Sequence, residues 1–352
     1  MSRINKRTRK THPLVVLPLL LLCACSSPTP PDSAGPQAAV EPAAVVDPAP
    51  QGPDAVVTIL TTNGADFLGA MEPLKGEWSF AAWIEVDDRA FLFDTGWSPD
   101  NVFSNAEILG IDLSIAEDLI LSHNHPDHTG GLELLRTELS KRNPNALRRI
   151  HVAEGIFDSR PGPDGSERNP MIEKRERLEA LGSEFIIYTE PTEIASGVWV
   201  TGPVPRVHPE TNYPTGAGAL VVRDGENQKD TIAESQSLVV LATGGPVFVS
   251  GCGHAGLINT LAHGRDAIAD QRPQAAIGGF HLAGADDETL RWTAERLAEV
   301  QLGHFVGGHC TGFETVVTLR ELADLPRDRA VIGAIGTRFE TGVGIVPGNI
   351  NQ

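Results

Sequence analysis

Residues 119–132, Leu-Ile-Leu-Ser-His-Asn-His-Pro-Asp-His-Thr-Gly-Gly-Leu, constrain this chain more than any other stretch. His123, His125, Asp127 and His128 fall within six positions, and imidazole and carboxylate are the ligands that borderline divalent metals prefer. The apolar run 119–121 leads into the cluster and reads as a buried strand, while Gly130 and Gly131 open a helical stretch over 132–141. The cluster therefore sits on a strand-to-helix turn, where alternate side chains of an extended segment point the same way. His123 and His125 are expected to converge on one metal. Asp127 and His128, after the chain bends, are expected to face a second. The bland alternative, a solvated histidine-rich loop, gives no reason for strand, cluster, Gly-Gly and helix to follow in this order.

His-x-His-x-Asp-His after a strand, followed by Thr-Gly-Gly-Leu, resembles the signature of the metallo-β-lactamase superfamily. The resemblance extends from about Val56 onward and takes in Phe91-Leu92-Phe93-Asp94-Thr95-Gly96. It implies an α+β architecture, an αββα sandwich with a one- or two-metal centre at the rim where the sheets meet. Three later segments narrow it: Ser250-Gly251-Cys252-Gly253-His254-Ala255-Gly256, Gly278-Gly279-Phe280-His281-Leu282 and Gly308-His309-Cys310-Thr311-Gly312. In this order they look like the branch of dihydropterin-6-methyl-4-(ribofuranosyl)aminobenzene-phosphate synthase-like proteins. Gly202-Pro203-Val204-Pro205-Arg206 resembles a branch motif lying where better-known members carry their next metal histidine. The missing ligand is then supplied elsewhere, and His254 is the candidate.

The N-terminus reads as an address. Arg3, Lys6, Arg7, Arg9 and Lys10 form a basic region before an apolar stretch, 13–22, too short to span a bilayer. Leu22-Cys23-Ala24-Cys25 resembles a bacterial lipobox with Cys25 the lipidated residue; an ordinary secretory signal cleaved nearby is the alternative. Residues 26–54 are dominated by Pro, Ala, Ser and Gly and read as a tether. The expected organisation is signal over 1–25, tether over 26–54 and a catalytic domain over 55–352, anchored through its lipid to a cell-envelope membrane and facing the periplasm. Setting aside the five basic residues near the start leaves 23 basic against 46 acidic residues. A domain so acidic repels polyanions, which argues against nucleic acid as a partner.

Strands are expected over 56–60, 79–86, 90–93, 149–153, 184–188, 197–201, 237–242, 246–250 and at 305–306. Helices are expected over 173–181, 255–269, 286–300 and 314–325. Residues 159–169 and 203–230 are rich in Gly, Pro and polar residues and read as loops shaping a substrate pocket, with Gly216-Ala217-Gly218 inside the second.

Roles follow from position and from the resemblance. His254 follows a strand end and is assigned to metal, as is His309. His281 divides between metal ligation and substrate contact and is taken, with Asp127, as catalytic. Asp94 reads as a carboxylate behind the ligands, accepting a histidine N–H and so fixing its tautomer; simple turn chemistry is the alternative. Cys252 and Cys310 read as thiols beside the metals, a disulfide being the alternative open to an exported chain. The cofactor expected is one or two divalent ions, zinc first, with iron or manganese as alternatives. Hydrolysis of a small ester, lactone, amide or phosphodiester is the leading function. A pterin–aminobenzene transferase and a non-catalytic binding protein on the same fold are the competing ones.

Overall fold

The computed structural model describes residues 51–65, 73–210 and 219–348, all within one unit of the chain, Pro48–Gln352. The stretches read as signal and lipobox with Cys25, most of that read as tether, and Gly216-Ala217-Gly218 lie outside the described residues. No helix among the described residues is long and apolar enough to cross a membrane.

The first half builds one sheet. β1 (Ala55–Thr61), β2 (Ala81–Val86) and β3 (Arg89–Phe93) form an antiparallel meander, with the β2–β3 hairpin turning at Asp87-Asp88 as its two turn residues suggest. β4 (Asp118–Ile120), β5 (Arg149–Ala153) and β6 (Glu184–Tyr188) then add in parallel. Helices α1 (Asn101–Leu109), α2 (Pro126–Thr129), α3 (Leu132–Ser140) and α4 (Pro170–Ala180) fill the connections. The sequence singled out neither α1 nor α2. α1 stops at Gly110, in the left-handed conformation that closes helices. α4 starts three residues before its expected beginning, because Asn169 caps it by accepting from the Met171 amide and Pro170 fits the first turn.

The second half repeats the plan. β7 (Thr192–Ala195) and β8 (Val198–Val200) lead to a separate ribbon, β9 (Leu220–Arg223) with β10 (Glu226–Lys229), inside the stretch read as loop. β11 (Ser237–Ala242) and β12 (Gly245–Ser250) form the second main hairpin, and β13 (Ala275–Gly278), β14 (His304–Gly307) and β15 (Ala330–Ile332) follow in parallel. α5 (Leu257–Ala267), α6 (Asp287–Glu299) and α7 (Phe313–Leu322) connect them. Two short strands, β16 (Arg338–Glu340) and β17 (Gly344–Val346), return to the first sheet beside β1. The sheets have eight strands, ordered β17-β16-β1-β2-β3-β4-β5-β6, and seven, ordered β15-β14-β13-β12-β11-β8-β7.

Side-chain alternation sets the layers. Leu238 and Val240 on β11, with Val247 and Val249 on β12, face Ile59, Ile84, Phe91 and Phe93 of the other sheet. Their neighbours Val239 and Phe248 point the opposite way, onto Leu257, Leu261 and Leu297 of the helices. Trp83 and Leu92 do the same in the first sheet, against Leu135, Leu139 and Leu178. Both faces of each sheet are buried, so these strands read as near-continuous apolar runs. The result is two sheets face to face between two helical layers.

Gly52, Pro53 and Asp54, grouped by composition with the tether, bond to the folded body. The Thr243 amide and hydroxyl donate to the Pro53 and Gly52 carbonyls, and the Asp54 amide donates to the Asp87 carboxylate.

Candidate metal centre

Every element that delivers a polar side chain to the rim is a strand ending. Asp94 follows β3, and His123, His125, Asp127 and His128 follow β4. Cys252 and His254 follow β12, His281 follows β13, and His309 and Cys310 follow β14. Parallel neighbours end at the same rim, which is where side chains from remote stretches of sequence can meet.

They meet as three overlapping sets of donor atoms, the first Asp127, His128, Cys252 and His309 and the second His123, Cys252 and His254. In the first, His128 Nε2 lies 3.1 Å from Cys252 Sγ, and Cys252 Sγ lies 3.3 Å from His309 Nε2. Asp127 Oδ2 lies 3.3 Å from His309 Nε2 and 3.7 Å from His128 Nε2. Bonds of about 2.0–2.1 Å to nitrogen or oxygen and about 2.3 Å to sulfur give a tetrahedral zinc site edges of roughly 3.3–3.7 Å. The donor distances, 3.1–3.7 Å, lie close to that spacing, so the set fits an ion of this size. In the second set His254 Nε2 is 3.2 Å from His123 Nε2. The His125 ring stands beside both, its centroid 4.5 Å from that of His123 and 5.1 Å from that of His254, but it belongs to none of the converging sets.

The sequence reads Cys252 as a thiol beside the metals, and its sulfur falls in both of these sets. A third set joins it to His281 and Cys310. Both cysteines are buried thiols and not a disulfide. His281 is half-buried, with its ring centroid 4.8 Å from that of His254. Asp94, His281 and His309 all adopt the left-handed backbone region, with φ of 55°, 49° and 48°. Non-glycine residues there carry strain that the surrounding structure must sustain, a pattern concentrated at functional sites.

One carboxylate organises the first motif from behind. Asp94 Oδ2 lies 2.7 Å from His128 Nδ1 and accepts from the Ser122 hydroxyl at 2.7 Å, while Oδ1 accepts from the Ser122 amide at 2.7 Å. Ser122 Oγ in turn lies 2.9 Å from His123 Nδ1. Asp94 thus turns the Nε2 atoms of both His123 and His128 toward the centre. The sequence reading did not single out Ser122, whose role depends on a glycine. A Cβ at Gly251 would stand 2.1 Å from Ser122 Oγ and 2.5 Å from Asp94 Oδ2.

The electrostatics suit metal ligation at His123, His125, His254 and Asp127, whereas an ion at His309 would have to displace a proton. Burial pushes His123 and His254 well below the ordinary histidine range, and His125 down to about 4, so each imidazole keeps a lone pair free. Burial also acts to lower His309, but the charges and hydrogen bonds of Cys310 and Asp127 push it up to about 9. Burial opposes ionisation of Asp127, and the histidines around it more than compensate, holding its carboxyl below the usual carboxylate range.

The sequence also gave no sign of a buried charge cluster near His125. Arg160 donates from Nε to Asp230 at 2.7 Å and from Nη2 to Glu234 at 2.6 Å. Glu234 is fully buried, its Oε2 has no hydrogen-bond partner, and burial raises its carboxyl to about 7. The other histidines hold structure: His151 bonds Asp118 and Tyr188, His263 the Thr201 carbonyl and His304 the Gln274 carbonyl, while the His208 ring lies near Trp292.

Comparison with known proteins adds three findings. The family model described as the metallo-beta-lactamase superfamily matches residues 79–257, half of the chain. A curated relative, the 7,8-dihydropterin-6-methyl-4-(beta-D-ribofuranosyl)-aminobenzene-5'-phosphate synthase of Methanocaldococcus jannaschii, is 27% identical over 265 residues, covering 72% of this chain and 87% of the relative. The crystal structure of Tm1679, a metal-dependent hydrolase of the beta-lactamase superfamily, superposes with a TM-score of 0.62 at 25% identity, covering 81% of this chain and 98% of that one.

Proposed function

This chain belongs to the metallo-beta-lactamase superfamily, and from that premise we propose that it is a metal-dependent hydrolase of a small ester, lactone, amide or phosphodiester. The observation that carries the proposal is the convergence of Asp127, His128, Cys252 and His309 beside the His123–His254 pair. We assign metal ligation to these six residues and to His125, whose ring stands beside those of His123 and His254. A divalent ion held by them would act as a Lewis acid, making water a nucleophile near neutral pH and polarising the bond to be cut. Cys252 in the donor set favours zinc over harder ions, since thiolate is a soft ligand.

The chain's own residues supply position and proton control. Asp94 and Ser122 hold His128 and His123 in one orientation. Asp127, on the first turn of α2, keeps its carboxylate ionised and able to accept a hydrogen bond from an attacking water. His281, at the more open side of the cluster, is the candidate to contact the substrate.

A second reading is favoured by the relative's name: a transferase that condenses a pterin with a ribofuranosylaminobenzene phosphate. The basic and apolar start of the chain and the Leu22–Cys25 lipobox support export and lipid attachment at Cys25. An exported enzyme would not meet cytosolic intermediates, whereas hydrolysis needs only water. The deciding experiment offers the purified protein a panel of small esters, lactones, amides and phosphodiesters, and separately the two condensation substrates. Chelator-sensitive hydrolysis of at least one panel member, abolished by His123→Ala, supports the hydrolase. A condensed product with no hydrolysis replaces it with the transferase. Metal-loaded protein inert to both favours a binding protein.

A further inference from the structure

We propose that Trp78, with Trp97 and Phe313 attached to the same side of the metal centre, receives an aromatic ring of the substrate and so selects aryl over alkyl substrates. The word substrate rests on the metallohydrolase reading, while the aromatic surface stands on its own geometry.

Among the described residues, three Phe, Tyr or Trp side chains are exposed, Trp78 and Trp97 at 54% each and Phe313 at 43%. The other exposed large apolar side chains are aliphatic. A single exposed apolar residue is ordinary, but exposed aromatic residues gathered at one place mark a binding surface. These three come from remote stretches of sequence, before β2, after β3 and at the start of α7. Each is nevertheless tied to the centre.

Trp78 touches it directly. Its ring centroid lies 5.0 Å from that of His309, the two planes tilted by 60°. The backbone on either side is fixed, since the Glu77 amide donates to the Thr62 carbonyl at 3.0 Å and the Ser79 amide to the Glu77 carbonyl at 2.9 Å. Thr62 Oγ1 accepts from the His309 amide at 3.0 Å, and Asn63 Nδ2 donates to the His309 carbonyl at 3.0 Å. The next residue reaches Phe313, whose Cζ stands 3.6 Å from where a Cβ on Gly64 would be. One short stretch after β1 thus joins Trp78, His309 and Phe313.

Trp97 is fixed through Glu77, whose carboxylate accepts from the Trp97 and Ser98 amides at 2.9 and 3.0 Å and from the Ser79 hydroxyl at 3.0 Å. The Trp97 carbonyl also lies against the glycine that follows the first motif, where a Cβ on Gly130 would stand 1.8 Å from its oxygen. That binds Trp97 to the turn carrying Asp127 and His128. An occupant lying over Trp78 is therefore beside a candidate metal ligand, where the bond to be cut must also lie. Glu77, the carboxylate next to Trp78 in the chain, is engaged by its donors, which leaves ring faces and edges to do the recognising. Those favour another ring, stacked with an offset or edge to face, and small-molecule sites are lined mainly by such side chains.

The test titrates benzylphosphonate and methylphosphonate, which share an anionic head and differ in the ring, into protein whose metal content has been measured. Calorimetry should find benzylphosphonate bound about tenfold more tightly. Trp78→Ala should remove most of that ratio, and Trp78→Phe should keep part of it. Equal affinities in wild type, or a ratio unchanged in Trp78→Ala, would overturn the proposal. Should Trp78→Ala fail to fold, wild-type protein decides: oxidation by N-bromosuccinimide, mapped by mass spectrometry, should slow at Trp78 with benzylphosphonate and not with methylphosphonate. Equal rates would overturn it. Loss of binding to phosphatidylcholine vesicles in Trp78→Ala, at an unchanged phosphonate ratio, would make the aromatic residues a membrane contact instead. Metal content tests the metallohydrolase reading and the ratio tests the ring surface, so a loaded protein without a ring preference overturns the second alone.

Discussion

Asp94 Oδ2 and His128 Nδ1 stand 2.7 Å apart, both side chains fully buried, and that contact directs His128 Nε2 at Cys252 and Asp127. An amide at position 94 keeps the shape but loses the negative charge. Asp94→Asn should lower metal affinity roughly 10–100-fold, the usual effect of losing a carboxylate behind a ligand histidine. Competition with a chromogenic chelator measures it, and unchanged affinity would reduce Asp94 to a turn residue.

Cys252 contributes to all three donor sets, Cys310 to one. Cys252→Ser should therefore lower metal occupancy more than Cys310→Ser does. In cobalt-substituted protein it should also remove the sulfur-to-metal charge-transfer absorption. After metal removal, both thiols should alkylate under denaturing, non-reducing conditions. A recovered Cys252–Cys310 disulfide peptide would contradict this.

Gly251 lets two segments approach. With a Cβ 2.1 Å from Ser122 Oγ, Gly251→Ala forces apart the Ser122–Asp94 contact. Overpacking of this kind costs about 1–3 kcal/mol, and thermal melts should show the loss together with weaker metal binding.

Glu234 gives a pH dependence of definite sign. Burial raises its carboxyl from 4.5 to about 7, so between those values the folded state keeps a proton that the unfolded chain has released. Stability is then lost as pH rises through that window, by an amount of order 3 kcal/mol. Glu234→Gln removes this dependence. The wild-type melting temperature, relative to the variant, should fall between pH 4.5 and 7, and parallel curves would show that Glu234 does not titrate there.

Much of this site was legible in the sequence because one segment concentrates it. The strand before His123 is apolar and the candidate ligands follow within six positions, so periodicity and ligand chemistry speak together. The later histidines each follow an apolar run ending in Gly, a pattern that the parallel strands β12 to β14 explain. Distant pairings left no such trace. β16 and β17 are three residues each and close the first sheet more than 280 residues after β1 begins, with no periodicity to announce them. The β9–β10 ribbon was hidden by the polar residues of an exposed hairpin, Glu226, Asn227, Gln228 and Lys229. Arg160 meets Asp230 and Glu234 across 70 and 74 residues, and nothing in either segment points to the other. The position of Cys252 among the candidate ligands depends on a close approach of glycine-bearing turns, which is a three-dimensional fact.

Cys25 carries the export proposal. Cys25→Ser should abolish acylation and move the protein from the membrane to the soluble fraction. Mass spectrometry showing an unmodified N-terminus elsewhere would replace the lipid anchor with an ordinary cleaved signal.

The metal content of the purified protein tests the central claim most directly. Elemental analysis should find one or two divalent ions per chain, zinc foremost, with one fewer, or a large loss of occupancy, in Asp127→Ala while the melting curve shows the fold retained. Metal-free protein that gains neither ions nor activity on reconstitution, or an Asp127→Ala variant with unchanged metal content, would contradict it.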